Sequence, residues 1–451
     1  MRPAGLALAG SVRFAGMRAR APAASRSEPT HHGLQRTCRA GAHARPDPLN
    51  APGATALAAL LAALAMLGPF SVDTYLPAFP AIEASLGASA IEVQQTLTAY
   101  MAAFAVMILW HGALSDALGR RNVILVSLAV FAVASLGCAG AHSVHYLWAF
   151  RILQGVSAGA GVVVGRAMVR DLYEGPPAER LLSLVTMLFS IGPAIAPILG
   201  GWIVDLVGWR SIFLFMFGYA ALLLWLCWKR LPETLPQARR QPLSVRALVD
   251  NYGLVLRTPR FHFKSGALAF NFAGLFLYVA AAPTFVIKHL GLGPHQFAWQ
   301  FVPTVAGIFL GALAANRLAG KIHPVRQVRI GFVLLLGASL ANVAWHAFFA
   351  PALPWSILPL FFYAFGMSMV APGVTLMVLD LFPDIRGVAA SCQSFTQTML
   401  AALVAGVVAP LLAPSVAWLA AGQLVCVLAA LAMWRSGRPT RARRSRPGSD
   451  P

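Results

Sequence analysis

The sequence predicts an all-α membrane protein with twelve transmembrane helices, arranged as two six-helix bundles around a central cavity. Composition gives the first support. Hydrophobic residues make up 58% of the 451 residues and charged residues only 11%, whereas a soluble domain carries about 25% charged residues. A soluble protein, a disordered chain and a disulfide scaffold are therefore excluded. The apolar runs are continuous rather than alternating, which favours helices over barrel strands.

Runs without Asp, Glu, Lys or Arg predict the positions of the helices. Two such runs, 330–379 and 387–434, are 50 and 48 residues long and are interrupted by prolines. Because about 20 residues cross a bilayer, each run is expected to form two helices joined by a tight turn. The twelve predicted spans are 55–80, 93–114, 121–140, 145–168, 181–205, 210–228, 263–287, 296–317, 327–347, 353–379, 387–410 and 414–434.

The distribution of basic residues predicts the orientation. With both termini in the cytoplasm, 31 of the 35 Lys and Arg residues fall on the cytoplasmic side and two on the opposite side, as the positive-inside rule requires. A multi-pass protein of the bacterial inner membrane is expected. The predicted parts are a basic, disordered tail (1–54), an N-terminal bundle (55–228), a cytoplasmic linker (229–262), a C-terminal bundle (263–434) and a second basic tail (435–451).

The net charge of +20 follows from these topological signals beside anionic lipid, so no nucleic-acid partner is expected.

The N-terminal tail carries eight Arg and no apolar run of 20 residues. A disordered extension or an over-long start is favoured there, with a mitochondrial-type presequence as the alternative. The five cysteines form no C-x-x-C pair, and neither a metal site nor a disulfide framework is predicted.

Two ionisable residues inside the predicted spans are the candidates for proton coupling or substrate contact. Asp73 lies about 10 Å from the outer end of span 1, and Arg151 lies about 9 Å from the outer end of span 4. Burial favours a neutral carboxyl group, whereas a nearby Arg or a cationic substrate favours the carboxylate. A carboxyl group poised between these states can exchange a proton for substrate. The alternative is a structural pair, or an Asp that caps span 1.

Polar side chains elsewhere in the spans are candidate cavity-lining residues. Interhelical hydrogen bonding is the alternative interpretation for each of them. The candidates are Tyr75, Tyr100, Asn271 and Gln393.

No enzyme activity is predicted. Residues 155–159 match G-x-S-x-G, but a nucleophile elbow needs a strand before it and a helix after it. These residues lie inside an apolar span instead. The sequence also lacks a Walker lysine motif and an H-E-x-x-H motif, so neither ATP-driven transport nor zinc hydrolysis is expected.

Several segments resemble the major facilitator superfamily. The loop between spans 2 and 3 is similar to its signature loop, residues 151–155 in span 4 are similar to its second motif, and residues 192–201 in span 5 are similar to the motif of its antiporters. Residues 73–80 read D-T-Y-L-P-A-F-P, which resembles the bicyclomycin/chloramphenicol-resistance branch (Bcr/CflA). The loop motif comprises Gly112, Asp116, Gly119, Arg120 and Arg121, and the antiporter motif comprises Gly192, Pro193, Pro197, Gly200 and Gly201.

The resemblance implies a major-facilitator-type fold and proton-coupled efflux of small drug-like molecules by alternating access. It also implies a conformational switch in the loop motif, in which Asp116 braces one arrangement against span 11 near Gly387, with a plain helix cap as the alternative. The expected partners are a small-molecule substrate, protons and the lipid bilayer, and a monomer is expected. No cofactor is expected, because the proton gradient supplies the energy. The alternative function is a metabolite facilitator or symporter on the same fold.

Overall fold

The computed structural model describes residues 54–173 and 176–437. The predicted tails, apart from residues 54 and 435–437, lie outside the described residues. Within the described ranges there is no β-strand, and twelve helices are long and apolar enough to cross a membrane. The predicted fold class is therefore confirmed. The twelve spans are Ala56–Leu86, Ala90–Leu118, Arg120–Ala139, Val144–Leu172, Arg180–Val207, Arg210–Arg230, Pro259–Ala280, Pro294–Leu318, Pro324–Phe348, Leu358–Leu379, Arg386–Leu412 and Val416–Ser436.

Several spans are interrupted. Span 1 consists of a helix over Ala54–Asp73, a short 3-10 turn over Leu76–Ala78 and a second helix over Phe79–Leu86. Span 4 consists of Val144–Ala158 and Ala160–Leu172. In the second half, a π-helical segment over Pro283–His289 follows span 7 after a two-residue turn, and span 11 contains another over Val404–Val408. The helix of span 5 runs unbroken over Pro176–Val207.

Because twelve crossings are an even number, Ala54 and Gly437 lie at the same end of the protein. We call this end the terminal face and the other end the far face. A linker helix over Val245–Leu256 joins spans 6 and 7 at the terminal face. The Tyr252 hydroxyl of this helix donates a hydrogen bond to the carbonyl of Leu109 in span 2. Burial raises the pKa of Tyr252 above its ordinary value, so the hydroxyl keeps its proton at neutral pH.

The two halves of the chain contact each other at the far face. Two glutamines of span 2 donate to backbone carbonyls of the π segment in span 11, Gln94 to Ala405 at 3.1 Å and Gln95 to Gly406 at 2.6 Å. These contacts hold the far ends of spans 2 and 11 together.

A second contact at the far face joins spans 5 and 8. His295 Nδ1 lies 3.1 Å from the carboxylate of Asp205. Gly201 in span 5 lies against the backbone of Pro294, where an added Cβ would lie only 2.2 Å from the carbonyl oxygen. The far face is thus closed by side-chain and backbone contacts from both halves.

Candidate functional site

The site is built around the interruption in span 1. Proline has no N–H group, so Pro77 cannot donate the α-helical hydrogen bond to the carbonyl of Asp73, and Pro80 cannot donate to Leu76. The first helix accordingly ends at Asp73. The Thr74 hydroxyl turns back and donates to the carbonyl of Phe70. The sequence D-T-Y-L-P-A-F-P therefore places an acid at a helix end in the interior of the protein.

Asp73 is buried with only 6% of its surface exposed. Among the described residues, none forms a hydrogen bond or an ion pair with its carboxylate. A carboxylate removed from water without a partner is costly, by several kcal/mol. Ionisation of this side chain in the conformation seen here therefore requires water, a cation or a rearrangement.

Span 5 packs directly against the interruption through the predicted antiporter motif. A Cβ added to Gly200 would lie 2.2 Å from the carbonyl oxygen of Thr74. Only glycine permits this approach of the two backbones. Gly192, one turn deeper than Pro197, lies against the side chains of Met66 and Phe70 in span 1.

The two prolines of the motif leave the span 5 helix continuous, although each removes one backbone hydrogen bond from it. Together, Gly192, Pro193, Pro197 and Gly200 lie along the part of span 5 that follows span 1 towards Asp73. Gly201 belongs instead to the contact between the halves described above.

Arg151 is fully buried between two tyrosine rings. Its guanidinium carbon lies 4.6 Å from the ring centre of Tyr75 in span 1 and 4.3 Å from that of Tyr100 in span 2. Cation–π contacts of this kind are worth about 2 kcal/mol or more when they are desolvated. Both tyrosines were predicted to line a cavity, but here they are 0% and 2% exposed and hold the arginine instead.

A neutral polar network fixes one side of the guanidinium. Arg151 Nη1 donates to Gln154 Oε1 at 2.9 Å, and Gln154 Nε2 donates to Ser135 Oγ at 2.8 Å. The Tyr75 hydroxyl lies 2.6 Å from Thr96 Oγ1. Gln154, Ser135 and Thr96 were not predicted as site residues. Gln154 could have been found, because residues three apart share one face of a helix.

Two nitrogens of Arg151, Nε and Nη2, are buried without a hydrogen-bond partner in the described part of the chain. Arg151 and Asp73 do not form an ion pair, although both lie within electrostatic reach of Tyr100. The two charges were predicted at a similar depth. They share Tyr100 as a neighbour, but they do not contact each other directly. The cluster thus holds a cation with two unpartnered nitrogens and an acid without a partner among the described residues.

The C-terminal half contributes an uncharged polar network. Asn342 Nδ2 donates to the Tyr278 hydroxyl at 2.8 Å and lies 2.9 Å from Gln423 Oε1. Gln300 Nε2 donates to the carbonyl of Tyr278, and His346 joins the carbonyl of Asn342 to the hydroxyl of Ser356. These residues tie spans 7, 8, 9 and 12 together without a formal charge.

Asn271 and Gln393 were predicted to line the cavity. Both are buried, at 1% and 7% exposed, so they face no open space in this conformation. Neither polar atom of the Asn271 side chain has a partner among the described residues, and Gln393 Oε1 is also unsatisfied. Gln393 Nε2 donates to the Thr375 hydroxyl at 3.0 Å. Their role as cavity residues stays a prediction for an opened conformation.

The loop motif at the terminal face forms an ion-pair cluster within the N-terminal half. Arg120 Nη1 lies 2.6 Å from the carboxylate of Asp116, and Arg120 Nε donates at 3.0 Å to Asp171 at the end of span 4. Gly119 has a φ of +96°, which favours glycine and turns the chain sharply between spans 2 and 3.

The predicted brace between Asp116 and span 11 is not formed in this structure. Asp116 pairs with Arg120 four residues later, and the position where Gly387 would carry a Cβ has no neighbour within 4 Å. The chain after span 6 takes that place: Glu233 accepts from the backbone N–H of Arg120. Gly112 lies in ordinary contact with span 4. Arg121 donates to the carbonyl of Trp228 in span 6.

Comparison with known proteins identifies the family. The sequence model described as "Major Facilitator Superfamily" matches residues 60–403 and, a second time, 265–450. The "Uncharacterized MFS-type transporter YdgK" of Bacillus subtilis (strain 168) is 33% identical over 358 residues, which are 79% of this chain and 88% of the relative.

A second relative bears on the branch. The "Bicyclomycin resistance protein homolog" of Haemophilus influenzae (strain ATCC 51907 / DSM 11121 / KW20 / Rd) is 31% identical over 274 residues, which are 61% of this chain and 69% of the relative. This similarity confirms the resemblance predicted from residues 73–80.

A solved structure supports the fold. The "xylose transporter XylE from E. coli", in an inward open conformation, superposes with a TM-score of 0.66 at 16% identity, covering 86% of this chain and 97% of that one. Family and fold together mark a multi-pass membrane transporter and not an enzyme. The chain belongs to the Major Facilitator Superfamily.

Proposed function

We propose that this protein exports small drug-like molecules across the bacterial inner membrane in exchange for protons. The observation that carries the proposal is the buried side chain of Asp73 at the interruption of span 1, which has no partner among the described residues. The two unpartnered guanidinium nitrogens of Arg151 support it. The names of the relatives support the substrate class, since one is a bicyclomycin resistance protein homolog and another is a multidrug transporter from Edwardsiella ictaluri. The unit is a monomer, and the proton gradient replaces any cofactor.

Proton exchange at Asp73 follows from its surroundings. With the carboxyl group ionised, it balances the charge of Arg151 and can attract a cationic or polar substrate. A proton that arrives from the far face neutralises Asp73, leaves Arg151 as an unbalanced cation and weakens the hold on the substrate. Loss of the proton to the terminal face restores the binding form. A membrane potential contributes about 2.3 kcal/mol per charge for each 100 mV.

Alternating access would exchange one set of contacts for another. In the structure the far face is closed by the contacts of Gln94, Gln95 and Asp205. Opening that face requires breaking these few hydrogen bonds while the terminal face closes. The cluster of Asp116 and Arg120 lies at the terminal face and is positioned to change partners in that step, so the conformational-switch role belongs to this proposal. Both termini are assigned to the cytoplasm on the distribution of basic residues.

Inverted vesicles that contain the full chain and hold an imposed proton gradient test the function. Chloramphenicol, bicyclomycin and sulfonamides are added in turn, and internal pH is followed with a dye. We expect compound-dependent proton release for the wild type and none above empty vesicles for Asp73→Asn, because an amide cannot carry the proton. The matched control is Asp380→Asn, which removes an exposed ion pair with Arg386 and should keep the wild-type response.

Three results would count against the proposal. Proton release that persists in Asp73→Asn removes this residue from the coupling path. Compound-driven proton movement in the opposite direction indicates symport, the alternative function. The absence of any response to the panel refutes export of these drug classes.

A further inference from the structure

A groove on the lipid-facing surface of the N-terminal half lies apart from the Asp73 site. It runs between span 3 and span 6 as an open depression with a volume of about 550 Å³. Its walls are almost wholly apolar. The wall residues used below are Leu125, Val126 and Ala129 from span 3, and Ala221, Trp225 and Trp228 from span 6.

The groove runs along the two helices within one membrane leaflet. Its lining on span 6 extends from Ala221 to Trp228, seven residues apart, which is about 10 Å along the helix. One leaflet contributes about 15 Å to a hydrocarbon core of roughly 30 Å. The groove therefore begins near the terminal face and extends through most of one leaflet, parallel to the direction of a lipid chain.

Residue size explains why a groove exists here. Small side chains line it on both helices, at Ala129 of span 3 and Ala221 of span 6. The rings of Trp225 and Trp228 on span 6 are 50% and 62% exposed. A helix pair with large residues at all these positions would be flush with the lipid, so the sequence leaves space for an elongated apolar group.

Basic side chains surround the mouth of the groove. Lys229 Nζ lies 4.9 Å from the ring centre of Trp225, and Arg121 Nη2 donates to the carbonyl of Trp228 at 2.7 Å. These contacts hold both cations beside the groove. Glu233 is close by in sequence, but it is engaged with the backbone of Arg120 and with Arg240. The mouth thus carries positive charge that no acid of the described chain neutralises.

We propose that this groove is a binding site for one anionic phospholipid of the surrounding bilayer. An acyl chain lies along the groove, against Ala129 of span 3 and against Ala221 and the two tryptophans of span 6. The phosphate group is bound by Arg121 and Lys229, which match it in charge. The two cations give the site its preference for anionic over zwitterionic headgroups. This inference depends on the membrane location of the chain and not on drug export.

Native mass spectrometry of the intact, detergent-solubilised protein tests the site. Phosphatidylglycerol and phosphatidylcholine of the same acyl composition are titrated separately. Since a basic residue near the surface contributes about 1 kcal/mol to the binding of anionic lipid, the double variant Arg121→Gln/Lys229→Gln should bind phosphatidylglycerol roughly 30-fold more weakly. Its affinity for phosphatidylcholine should change little.

Two further variants make the test specific. Arg326→Gln/Arg329→Gln removes two exposed cations of the terminal-face end of span 9, away from the groove, and should bind phosphatidylglycerol as the wild type does. Ala129→Phe fills the groove while keeping both cations and should lose the tightly held lipid. Ala221→Phe fills it from the other wall, so that a folding defect in one variant does not decide the result. Melting temperature is measured for each.

The outcomes separate the proposal from its rivals. Equal affinity for both lipids, unchanged by either charge variant, overturns the anionic site and leaves the tryptophans as ordinary interfacial anchors. Retention of lipid in both folded, groove-filled variants shows that the lipid binds elsewhere. A mass of two chains that falls to one chain in the groove-filled variants shows that a second copy covers the groove.

Discussion

The two halves of this transporter place different chemistry in their interiors. The N-terminal half buries an acid and a fully enclosed arginine, Asp73 and Arg151, and neither has an ion-pair partner among the described residues. The C-terminal half buries uncharged amides and tyrosines and a histidine, several of which are joined by hydrogen bonds, as at Asn342 and Gln423. Charge in a membrane interior is costly, whereas neutral hydrogen bonding is only modestly stabilising. If the proposed function holds, proton coupling is concentrated in the N-terminal half, and the C-terminal half supplies a scaffold.

The helices of the two halves also differ in how their backbones depart from a regular α-helix. Span 1 is interrupted next to Asp73 by Pro77 and Pro80, and span 5 is brought against that interruption by Gly200. The C-terminal half deviates from α-helix by π segments instead, which keep the chain helical over Val404–Val408. A π segment often marks a functional position, and this one accepts the hydrogen bonds that close the far face. The N-terminal half therefore interrupts a helix beside its acid. The C-terminal half uses backbone carbonyls of a π segment to close the far face.

The largest effect is expected at Arg151, the buried cation that distinguishes the N-terminal half from the C-terminal half. Arg151→Lys keeps the charge but loses the planar group that stacks on Tyr75 and Tyr100 and the fork that reaches Gln154. Each desolvated stacking contact is worth about 2 kcal/mol. We expect drug-driven proton release to be abolished in Arg151→Gln and strongly reduced in Arg151→Lys, measured as initial rates in inverted vesicles.

The exposed Arg326→Lys serves as the control for the chemistry of the substitution and should transport normally. Wild-type rates in Arg151→Lys would show that a point charge suffices and that the tyrosine rings serve packing alone. Wild-type rates in Arg151→Gln would break the comparison, because the buried cation would then have no part in transport.

The next effect is expected where span 5 meets the interruption in span 1. Gly200→Ala introduces a Cβ about 2.2 Å from the carbonyl oxygen of Thr74, which forces the two backbones apart. Overpacking of this kind costs about 1–3 kcal/mol. We expect a lower melting temperature together with impaired proton exchange, because Asp73 is bonded directly to the displaced residue.

A glycine of the second half sharpens this result. Gly311→Ala meets the carbonyl of Phe365 at 2.3 Å, so it should destabilise the protein to a similar degree. Proton release per transported compound should nevertheless stay at the wild-type value, since no acid lies beside it. Gly218→Ala, where an added Cβ meets nothing within 4 Å, should change neither quantity. Equal loss of coupling in the Gly200 and Gly311 variants would mean that both halves control it.

Much of the fold followed from the sequence, because hydropathy and basic residues report directly on the membrane. Twelve spans could be predicted from those patterns, and the family could be predicted from the resemblance of the motifs in spans 1, 4 and 5 and in the loop between spans 2 and 3. The end of the first helix at Asp73 was not predicted, although Pro77 and Pro80 indicate it. The apolar run continues across both prolines, and a hydropathy pattern carries no information about a lost backbone hydrogen bond. The ion pair of Asp116 with Arg120 could also have been predicted from its i,i+4 spacing.

The tertiary part of the site could not be predicted. The position of Arg151 between Tyr75 and Tyr100 depends on how spans 1, 2 and 4 rotate about their axes, and a uniformly apolar helix gives no periodic signal of its rotation. The same reason explains why Asn271 and Gln393 were expected at an open cavity and are buried here. A polar residue in an apolar span indicates that a partner is needed, without indicating which one.

The smallest effect is expected in the neutral network of the C-terminal half. Asn342→Ala removes the hydrogen bonds to Tyr278 and Gln423. Interhelical hydrogen bonds in membrane proteins are worth about 0.6 kcal/mol on average and up to about 1.7 kcal/mol. We expect a modest fall in the melting temperature of the purified protein, with the number of protons released per exported molecule unchanged, because no charge is lost.

Asn122 provides a matched asparagine control, because it is exposed and its side chain donates to the carbonyl of Leu118 in span 2. Asn122→Ala should alter neither stability nor coupling by a measurable amount. A change in proton stoichiometry in Asn342→Ala would place a proton-carrying group within the Tyr278–Asn342–Gln423 network. The assignment of proton coupling to the charged N-terminal half alone would then be wrong. A proton path through the C-terminal bundle would require this network to relay protons, in addition to holding four helices together.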